Sequence, residues 1–418
     1  MIKRQIMMEL EKHLATKEIT LIVGPRQAGK TTLLLLLKES LEKRGAKTLL
    51  FNMDIENDQR HFINQEALVS KIKLEFGSDS GTVFIDEIQR KADAGLFLKG
   101  LYDMRLPYKF VVTGSGSLEL KEKIHESLAG RKRMFELSTL SFEEFANFKT
   151  GYKYEDRLEE FFNLESNRLT SLLSEYMLFG AYPRLVLEEA LADKERIINE
   201  IYQSYLERDI GIMVGDGKSE AFSRLLRLLA EQAGQLMNIS ELSSTLSISV
   251  KTINQYIWYM EKTYILRRLT PFFKNARKEI TKSPVSYFTD LGLLNFATRS
   301  FGREFTEGRG GFIFQNFVCN ILYQKCFGTP KSLHFWRSKD KAEVDFVIDD
   351  GQTPVPIEVK YSSKSNIDLP RSLVSFTERY KPALSLIVYR GPETKRVYSG
   401  TKVLYIPFHK LAKLNLDM

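Results

Sequence analysis

Residues 24–31 read Gly-Pro-Arg-Gln-Ala-Gly-Lys-Thr, and this stretch decides the fold of the amino-terminal part of the chain. An apolar run at residues 19–23 precedes it and suits a buried strand, and a leucine-rich run at residues 32–37 follows it and suits a helix. A strand, a GxxxxGK[ST] loop and a helix in this order predict a loop that binds nucleotide phosphates. Lys30 is expected to reach the β- and γ-phosphates, and the Thr31 hydroxyl to hold Mg²⁺.

The composition is that of a soluble globular protein. The chain has 418 residues, of which 43% are hydrophobic and 27% charged, and this length predicts two to four domains. No apolar segment approaches the roughly 20 residues that span a bilayer. Glu9 and Glu11 interrupt any signal-peptide core near the start, so we expect a cytoplasmic protein with no membrane partner. Cys319 and Cys326 are expected to be reduced, packed thiols without metal-site spacing.

A second nucleotide motif follows at residues 82–87, where an apolar strand ends in two acids. Strands are expected at residues 20–23, 48–52, 82–85 and 108–113 with helices between them, which predicts a parallel sheet whose carboxyl edge binds the ligand. There Asp86 would complete the Mg²⁺ site with Thr31, and Glu87 would polarise the attacking water as a catalytic residue beside Lys30. The residues predicted to bind the nucleotide are Gly24, Pro25, Arg26, Gln27, Ala28, Gly29, Lys30, Thr31, Thr32, Asp86 and Ser115.

Two further roles have competing candidates. Thr113 and Ser115 end the strand at residues 108–113 or follow it, and either hydroxyl could sense the γ-phosphate. Their alternative is a turn rich in serine and glycine. Arg131 follows a glycine and is a candidate arginine finger, within one chain or across a subunit boundary. Arg26 competes for that role, and a surface salt bridge is the alternative for both arginines.

Residues 219–290 have the pattern of a winged helix-turn-helix. Residues 239–246 predict a short helix capped by Ser240, and residues 250–260 predict a second helix. Val250, Ile253, Ile257 and Met260 would share its buried face. The expected exposed face carries Lys251, Thr252, Asn254 and Gln255, which are residue types that contact bases or phosphates.

The charge distribution supports a polyanionic partner. The net charge is +8, and residues 262–282 hold seven basic residues against one acid. Strands at residues 267–273 and 285–289 would form a wing, with Lys274, Arg277 and Lys278 in the loop between them, where they suit a DNA backbone. The alternative is a solvated charged face on a domain used for packing or oligomer contacts.

Acidic residues recur on two candidate strands near the carboxyl end. Residues 343–348 alternate polar and apolar side chains, and residues 356–360 resume after a turn. If these strands pair, Asp345, Glu358 and Lys360 converge. Two carboxylates can hold Mg²⁺ while a lysine positions water beside a phosphate, so these three residues form a candidate nuclease site.

The motifs at residues 24–31, 83–89, 113–117, 127–131 and 140–145 resemble those of a prokaryotic AAA+-type ATPase family with a carboxyl-terminal domain of unknown function. The resemblance extends to residues 179–183 and 205–210. It implies ATP and Mg²⁺ as cofactors and assembly into a homo-oligomeric ring such as a hexamer. Asp345, Glu358 and Lys360 resemble the motif of PD-(D/E)xK nucleases, but Gln315 stands where relatives often carry a glutamate.

Together these patterns predict an α/β fold in four parts. A P-loop ATPase domain is expected at residues 1–150, a helical lid at 151–215, a winged helix-turn-helix at 216–298 and an α/β nuclease-like domain at 299–418. The expected function is ATP hydrolysis by an oligomer that binds duplex or branched DNA. One alternative is an ATP-regulated switch that binds a protein partner through the carboxyl-terminal domain, and another is an ATP-licensed nuclease.

Overall fold

The computed structural model describes residues 1–115, 128–206, 219–273, 283–305, 308–338 and 340–416. Its helices are α1 Met7–His13, α2 Lys30–Lys43, α3 Glu56–Gln59, α4 Gln65–Phe76, α5 Ala94–Asp103, α6 Phe142–Lys149, α7 Leu158–Leu164, α8 Ser166–Phe179, α9 Pro183–Leu187, α10 Leu191–Ser204, α11 Ser219–Glu231, α12 Ile239–Leu246, α13 Val250–Lys262, α14 Leu291–Ala297, α15 Arg309–Cys326, α16 Arg371–Tyr380 and α17 Phe408–Leu411. Short 3₁₀ helices cover Arg60–Phe62, Ile88–Arg90 and Glu155–Arg157.

The strands are β1 Ile19–Gly24, β2 Thr48–Asn52, β3 Gly81–Asp86, β4 Tyr108–Ser115, β5 Lys132–Glu136, β6 Leu266–Leu269, β7 Val285–Phe288, β8 Ser332–Arg337, β9 Glu343–Asp349, β10 Val355–Val359, β11 Leu384–Tyr389, β12 Thr394–Tyr398 and β13 Thr401–Pro407. The described chain forms two compact units. The first comprises Met1–Phe148, Ala181–Ser219 and Tyr256–Ile265, and the second comprises Lys149–Gly180, Glu220–Gln255 and Leu266–Met418.

The first unit is built on a five-stranded parallel sheet in the order β2-β3-β4-β1-β5. The four predicted strands are confirmed, and β5 is an additional edge strand. The register pairs Gly24 with Ser115 and Asn52 with Asp86, so the carboxyl ends of β1, β2, β3 and β4 share one edge. The loop after β1 and the acids after β3 therefore meet there, as ligand sites do in such sheets.

Apolar residues cover both faces of this sheet, as parallel strands require. Val83 and Ile85 face a core shared with α4 and α5. Phe84 and Val111 face the opposite core, which α1 and α2 complete. Leu34 of α2 is fully buried in that second core, where truncation to alanine costs about 2–5 kcal/mol. Helix α2, which carries the loop lysine at its first turn, is thereby fixed against the sheet.

The second unit contains a six-stranded mixed sheet in the order β12-β13-β11-β10-β9-β8. Strands β8, β9 and β10 are antiparallel neighbours, whereas β10, β11 and β13 run parallel. A crossover through α16 joins β10 to β11, since parallel neighbours need such a connection. Strands β6 and β7 form a separate antiparallel pair.

Helix α15 ties that small pair to the rest of the second unit. The fully buried Asn316 side chain accepts a hydrogen bond from the Phe288 backbone N–H at 2.8 Å and donates to the Phe288 carbonyl at 2.7 Å. Asn320 also donates to Phe288, at 3.1 Å. These side chains pair the backbone groups of Phe288 at the end of β7, so the pair packs as part of one unit with residues 308–416.

The two units divide the chain differently from the four predicted segments. The segment expected to be a lid contributes Lys149–Gly180 to the second unit and Ala181–Ser219 to the first. Residues 220–255 and 266–298 belong to the same unit as the carboxyl-terminal sheet. The physical reason is long-range hydrogen bonding, such as that of Asn316, which composition along the chain does not reveal.

Candidate functional site

The loop at residues 24–31 wraps around the side chain of its own lysine. Lys30 Nζ donates to the carbonyl oxygens of Gly24 at 3.1 Å and Pro25 at 2.8 Å, and this side chain is buried. A Cβ added at Gly24 would lie 2.0 Å from the Leu137 carbonyl oxygen, so the close approach of these backbones requires glycine. Gly29 has φ 95°, which also favours glycine, and it leads directly into α2. The first N–H groups of α2 and the Lys30 ammonium lie together here, and groups of this kind can bind an anion.

Asp86 is held by two threonines at the carboxyl edge of the sheet. Thr31 Oγ1 donates to Asp86 Oδ2 at 2.7 Å, and Thr113 Oγ1 donates to Asp86 Oδ1. The Glu87 backbone N–H donates to Thr113 Oγ1 at 3.2 Å. A hydroxyl and a carboxylate are the hard oxygen ligands that Mg²⁺ takes together with phosphate oxygens, so these residues fit that ion. Within the described ranges, no group of three or more His, Cys, Asp or Glu side chains could hold a metal by itself.

Glu87 follows Asp86 in a left-handed conformation, with φ 55°. Its carboxylate accepts a hydrogen bond from Gln89 Nε2, which also donates to Ser115 Oγ at 2.8 Å. The Ser115 backbone N–H donates back to Gln89 Oε1 at 3.3 Å. The structure thus brings Asp86, Glu87 and Ser115 to one edge, and Thr113 lies beneath them against Asp86.

A pocket of about 430 Å³ opens over this edge, within the volume range that small-molecule ligands occupy. Arg26, Gln27, Ala28, Gly29, Lys30, Thr31 and Thr32 all line it, as does Glu87. The remaining lining residues are Met1, Ile2, Arg4, Leu33, Leu36, Pro183, Arg184, Leu187 and Ser204.

Two arginines that line this pocket were not predicted from the sequence. The buried Arg4 donates to the Ala28 carbonyl at 2.8 Å, to the Ser138 carbonyl at 2.7 Å and to Glu144 Oε2 at 3.0 Å. Arg184 donates to Gln27 Oε1 at 3.1 Å and pairs with Glu200. Arg184 comes directly after the motif at residues 179–183, which was a usable signal. Arg4 gave none, because its partners lie more than 20 residues away.

Arg131 lies at the opposite end of the sheet. Its carbonyl accepts from the N–H of Ile19, the first residue of β1, and its guanidinium donates to Asp103 Oδ1 at 2.8 Å. Because the phosphate-binding loop follows the last residue of β1, the length of the strand separates it from Arg131. This corrects the expectation of an arginine finger acting within one chain. Arg26, the competing candidate, lines the pocket.

The two predicted helices at residues 239–246 and 250–260 are confirmed as α12 and α13. Asn238, rather than Ser240, caps α12 by accepting from the Glu241 N–H at 3.2 Å. Lys251, Asn254 and Gln255 are exposed as predicted. Thr252 is half-buried, and its hydroxyl bonds to Ser249 Oγ at 2.8 Å.

Val250 is the exception on the face predicted to be buried, because it is 46% exposed. Strands β6 and β7 pair in the region predicted for the wing, but β6 ends at Leu269 and is shorter than the strand predicted at residues 267–273. The basic wing residues Lys274, Arg277 and Lys278 lie outside the described residues, as do residues 116–127 and 207–218.

The predicted pairing of the two acidic strands is confirmed, since β9 and β10 are antiparallel neighbours. Asp345 Oδ1 accepts from Gln315 Nε2 at 2.7 Å, and Asp345 Oδ2 accepts from the Val359 backbone N–H at 2.7 Å. Glu358 is buried, and its carboxylate accepts from Lys360 Nζ at 2.8 Å. Gln315, Asp345, Glu358 and Lys360 therefore converge, and we name them the carboxylate cluster.

Electrostatics in the carboxylate cluster oppose ionisation of one acid. Desolvation by the surrounding protein, reinforced by the nearby Glu358 carboxylate, raises the pKa of Asp345 well above its usual range. Desolvation lowers the pKa of Lys360, but Glu358 and Asp345 raise it more, so this pKa lies above its ordinary value. A second segment also closes over the cluster, because a Cβ added at Gly234 would lie 3.0 Å from Gln315 Oε1.

Three family models match consecutive parts of the chain. Residues 16–146, which hold the phosphate-binding loop, Asp86, Glu87 and Ser115, match the model described as an AAA domain. This region is similar to AAA domains, and we refer to it as the AAA domain. Residues 170–304 match a domain of unknown function, DUF8612, and residues 310–409 match another, DUF4143. The carboxylate cluster lies in the last region, whose description names no nuclease, so the nuclease-like fold stays a prediction.

Similar relatives from several organisms match more than nine-tenths of this chain. An uncharacterized protein of Mycobacterium tuberculosis is 28% identical over 392 residues, which cover 93% of this chain and 80% of that protein. An uncharacterized protein of Haemophilus influenzae is 23% identical and covers 94% of both chains. An uncharacterized protein of Methanocaldococcus jannaschii is 28% identical over 417 residues, 94% of this chain and 84% of the relative.

Solved structures with some similarity include the Aeropyrum pernix ORC1 protein in complex with DNA, at 12% identity, a TM-score of 0.30 and coverage of 71% of this chain and 92% of that one. AMPPCP-bound DnaA from Aquifex aeolicus has 14% identity and a TM-score of 0.29, and covers 62% of this chain and 87% of that chain. TM-scores this low do not establish a shared fold for the whole chain. None of the helices in the described ranges has the length and apolar character to cross a bilayer.

Proposed function

We propose that the AAA domain binds ATP with Mg²⁺ and hydrolyses it. The observation that carries this proposal is the chain of hydrogen bonds from Thr31 through Asp86 to Thr113, beside the buried Lys30. These contacts support a cation site at Thr31 and Asp86 beside a phosphate site at Lys30, and Lys30 and Thr31 both line the pocket. Bound Mg²⁺ would neutralise phosphate charge and polarise the bond to the leaving group.

The roles of the chain's own residues follow from their positions. The Lys30 ammonium and the first N–H groups of α2 would hold the β- and γ-phosphates. The Thr31 hydroxyl and the Asp86 carboxylate would hold the ion. Glu87, which lines the same pocket, would accept a hydrogen bond from the attacking water and orient it towards the γ-phosphate.

The test is release of inorganic phosphate from ATP by the full chain, with and without Mg²⁺. Lys30→Ala should abolish nucleotide binding measured by calorimetry and, with it, turnover. Lys43→Ala is a matched control, because Lys43 lies at the end of the same helix in an exposed pair with Glu39. The proposal would be overturned if the Lys30→Ala variant still bound ATP in a magnesium-dependent way. It would also be overturned if the wild type showed no such binding.

We further infer that the chain binds DNA, and that an oligomer of the chain uses ATP hydrolysis to act on DNA. The supporting observation is the exposed face of α13, where Lys251, Asn254 and Gln255 lie after the turn from α12. Strands β6 and β7 flank the basic segment at residues 274–282, as in a wing that contacts phosphates. The oligomer, with a hexamer as its expected form, rests on the family resemblance.

Fluorescence anisotropy with duplex DNA, single strands and four-way junctions, titrated with salt, tests this second function. Binding should weaken as salt rises, and the triple change K274E, R277E and K278E should flatten that dependence. Reversal of the exposed Lys43 is the control. DNA affinity unchanged by the triple variant would favour the alternative, an ATP-regulated switch with a protein partner.

Magnesium-dependent cleavage by the carboxylate cluster is the remaining alternative. The convergence of Asp345, Glu358 and Lys360 supports it. The contacts of Asp345 weaken it, because each of its oxygens already accepts from an N–H donor and would have to share its electrons with a cation. Nicking of plasmid DNA that requires Mg²⁺ and disappears in Asp345→Ala would establish the nuclease, and an inactive wild type would exclude it.

A further inference from the structure

Gln89 bridges the ends of two strands at the nucleotide site. One hydrogen of its amide nitrogen goes to the Glu87 carboxylate, and the other goes to Ser115 Oγ at 2.8 Å. Its amide oxygen accepts from the Ser115 backbone N–H at 3.3 Å. An amide is the side-chain group that offers two donors and an acceptor together, and this one spends all three on the residues that follow β3 and end β4.

The local structure holds Gln89 firmly in this position. It lies in the 3₁₀ helix Ile88–Arg90, directly after the left-handed turn at Glu87. Ile88 is fully buried in the core of the sheet. On the other side, Arg90 Nε donates to Asp54 Oδ1 at 2.8 Å. The buried Ile88 restricts the directions that the Gln89 side chain can take, and the exposed Arg90–Asp54 pair adds little to this restraint.

We propose that Gln89 is a positioning residue that holds the Glu87 carboxylate in the pocket and couples it to Ser115. The inference rests on the proposed role of Glu87 in orienting water. Since Ser115 ends the strand that borders the phosphate site, a phosphate or water contact at Ser115 would be transmitted to Glu87 through one amide. Reactions that depend on orientation are sensitive to such alignment, whereas nucleotide binding by Lys30 and the loop does not involve Gln89.

The proposal predicts a split between turnover and binding. Gln89→Ala should lower kcat about tenfold or more and leave ATP affinity within about twofold of wild type. Gln89→Met, which keeps the size but lacks the donors, should lose as much. Gln89→Glu should lose more, because a second carboxylate would face Glu87. Gln65→Ala is the matched control, since Gln65 is a half-buried glutamine of the same domain that bonds to the Phe97 carbonyl, away from the pocket.

A double-mutant cycle makes the test specific. When Glu87→Gln is already present, adding Gln89→Ala should lower kcat by a further factor of less than about two, because both changes remove the same interaction. Full turnover in Gln89→Ala, full activity in Gln89→Met, or additive losses in the double variant would overturn the inference while leaving the proposed ATPase intact. If Glu87→Gln turns over ATP like the wild type, the proposed role of Glu87 fails, and this inference fails with it.

Discussion

The phosphate-binding site of the AAA domain and the carboxylate cluster of the second unit are made from similar residues. Each combines a lysine with two acids that lie on a β-strand or directly after one. In the AAA domain, Asp86 accepts from the hydroxyls of Thr31 and Thr113. In the carboxylate cluster, Asp345 accepts from the amide of Gln315 and from a backbone N–H.

This difference indicates that the groups that donate hydrogen bonds to a carboxylate affect which ligands the carboxylate can bind. A hydroxyl oxygen next to a carboxylate is itself a ligand for a hard cation, so Thr31 and Asp86 can act together on Mg²⁺. An N–H group satisfies the oxygen but offers no lone pair to a cation. The lysines also differ in their acceptors, because Lys30 Nζ donates to the backbone carbonyls of Gly24 and Pro25, whereas Lys360 Nζ donates to the Glu358 carboxylate.

The largest effect is expected when one acid of each site is neutralised in turn and ATP turnover is compared. Glu87→Gln should leave ATP bound but lower turnover by about 100-fold or more, because the attacking water loses its acceptor. Glu358→Gln should leave turnover unchanged. Phosphate release under saturating ATP measures both. Equal losses in the two variants would break the comparison, since the carboxylate cluster would then share in hydrolysis.

The next effect concerns the stability that Asp345 provides. Asp345→Ala should lower the free energy of unfolding by about 1–3 kcal/mol, because Gln315 Nε2 and the Val359 N–H lose their acceptor. Asp345→Asn should be far milder, since its oxygen can accept from Val359 while its amide donates to a rotated Gln315. Urea denaturation compares the variants, with the exposed Asp368→Asn as control. Equal losses in Ala and Asn would show that the charge itself stabilises this site.

The difference in stability between the wild type and Asp345→Asn should depend on pH. Because the pKa of Asp345 is raised in the folded protein, the folded state binds more protons than the unfolded state above pH about 4. The stability of the wild type should therefore fall as pH rises from there to the folded pKa. Asp345→Asn lacks this proton, so its stability relative to the wild type should increase over that window. A difference that stays constant between pH 5 and pH 8 would contradict the raised pKa.

Arg4 offers a smaller test at the phosphate-binding loop. Arg4→Lys keeps the charge beside Glu144, but an ammonium cannot reproduce the fork that reaches the carbonyls of Ala28 and Ser138. We expect ATP affinity to fall about tenfold with kcat nearly unchanged, because loop geometry and not the reacting groups is disturbed. Arg44→Lys, in an exposed pair with Glu11, is the control. A loss confined to kcat would contradict this role.

The smallest effect is expected from a substitution that should turn the carboxylate cluster into a cation site. Gln315→Glu replaces the N–H donor to Asp345 with a third carboxylate, so repulsion should lower stability by about 1 kcal/mol in EDTA. Added Mg²⁺ or Mn²⁺ should restore the melting temperature of this variant, through binding to the folded state. The wild type should not respond. Stabilisation of both proteins to the same extent would show that Gln315 is not what separates the two sites.

Patterns local in sequence predicted much of both sites. The loop at residues 24–31, the strand ending in Asp86 and the pairing of β9 with β10 follow from spacing and alternation, which reflect backbone geometry over a few residues. The additional strand β5 was missed because its sequence, Lys-Arg-Met-Phe-Glu, is mostly polar. It is an edge strand, which needs fewer apolar residues.

The order of residues along the chain was therefore enough to predict the loop at residues 24–31, the acids that accompany it and a second set of acids on paired strands. Folding sets the remaining contacts: Arg4 bonds to the loop, Arg131 lies at the far end of the sheet, and Gln89 joins Glu87 to Ser115. It also decided that amide and backbone N–H groups hold Asp345. The physical reason is that motifs record the covalent neighbours of a residue, whereas hydrogen-bond partners and desolvation come from segments that only folding brings together.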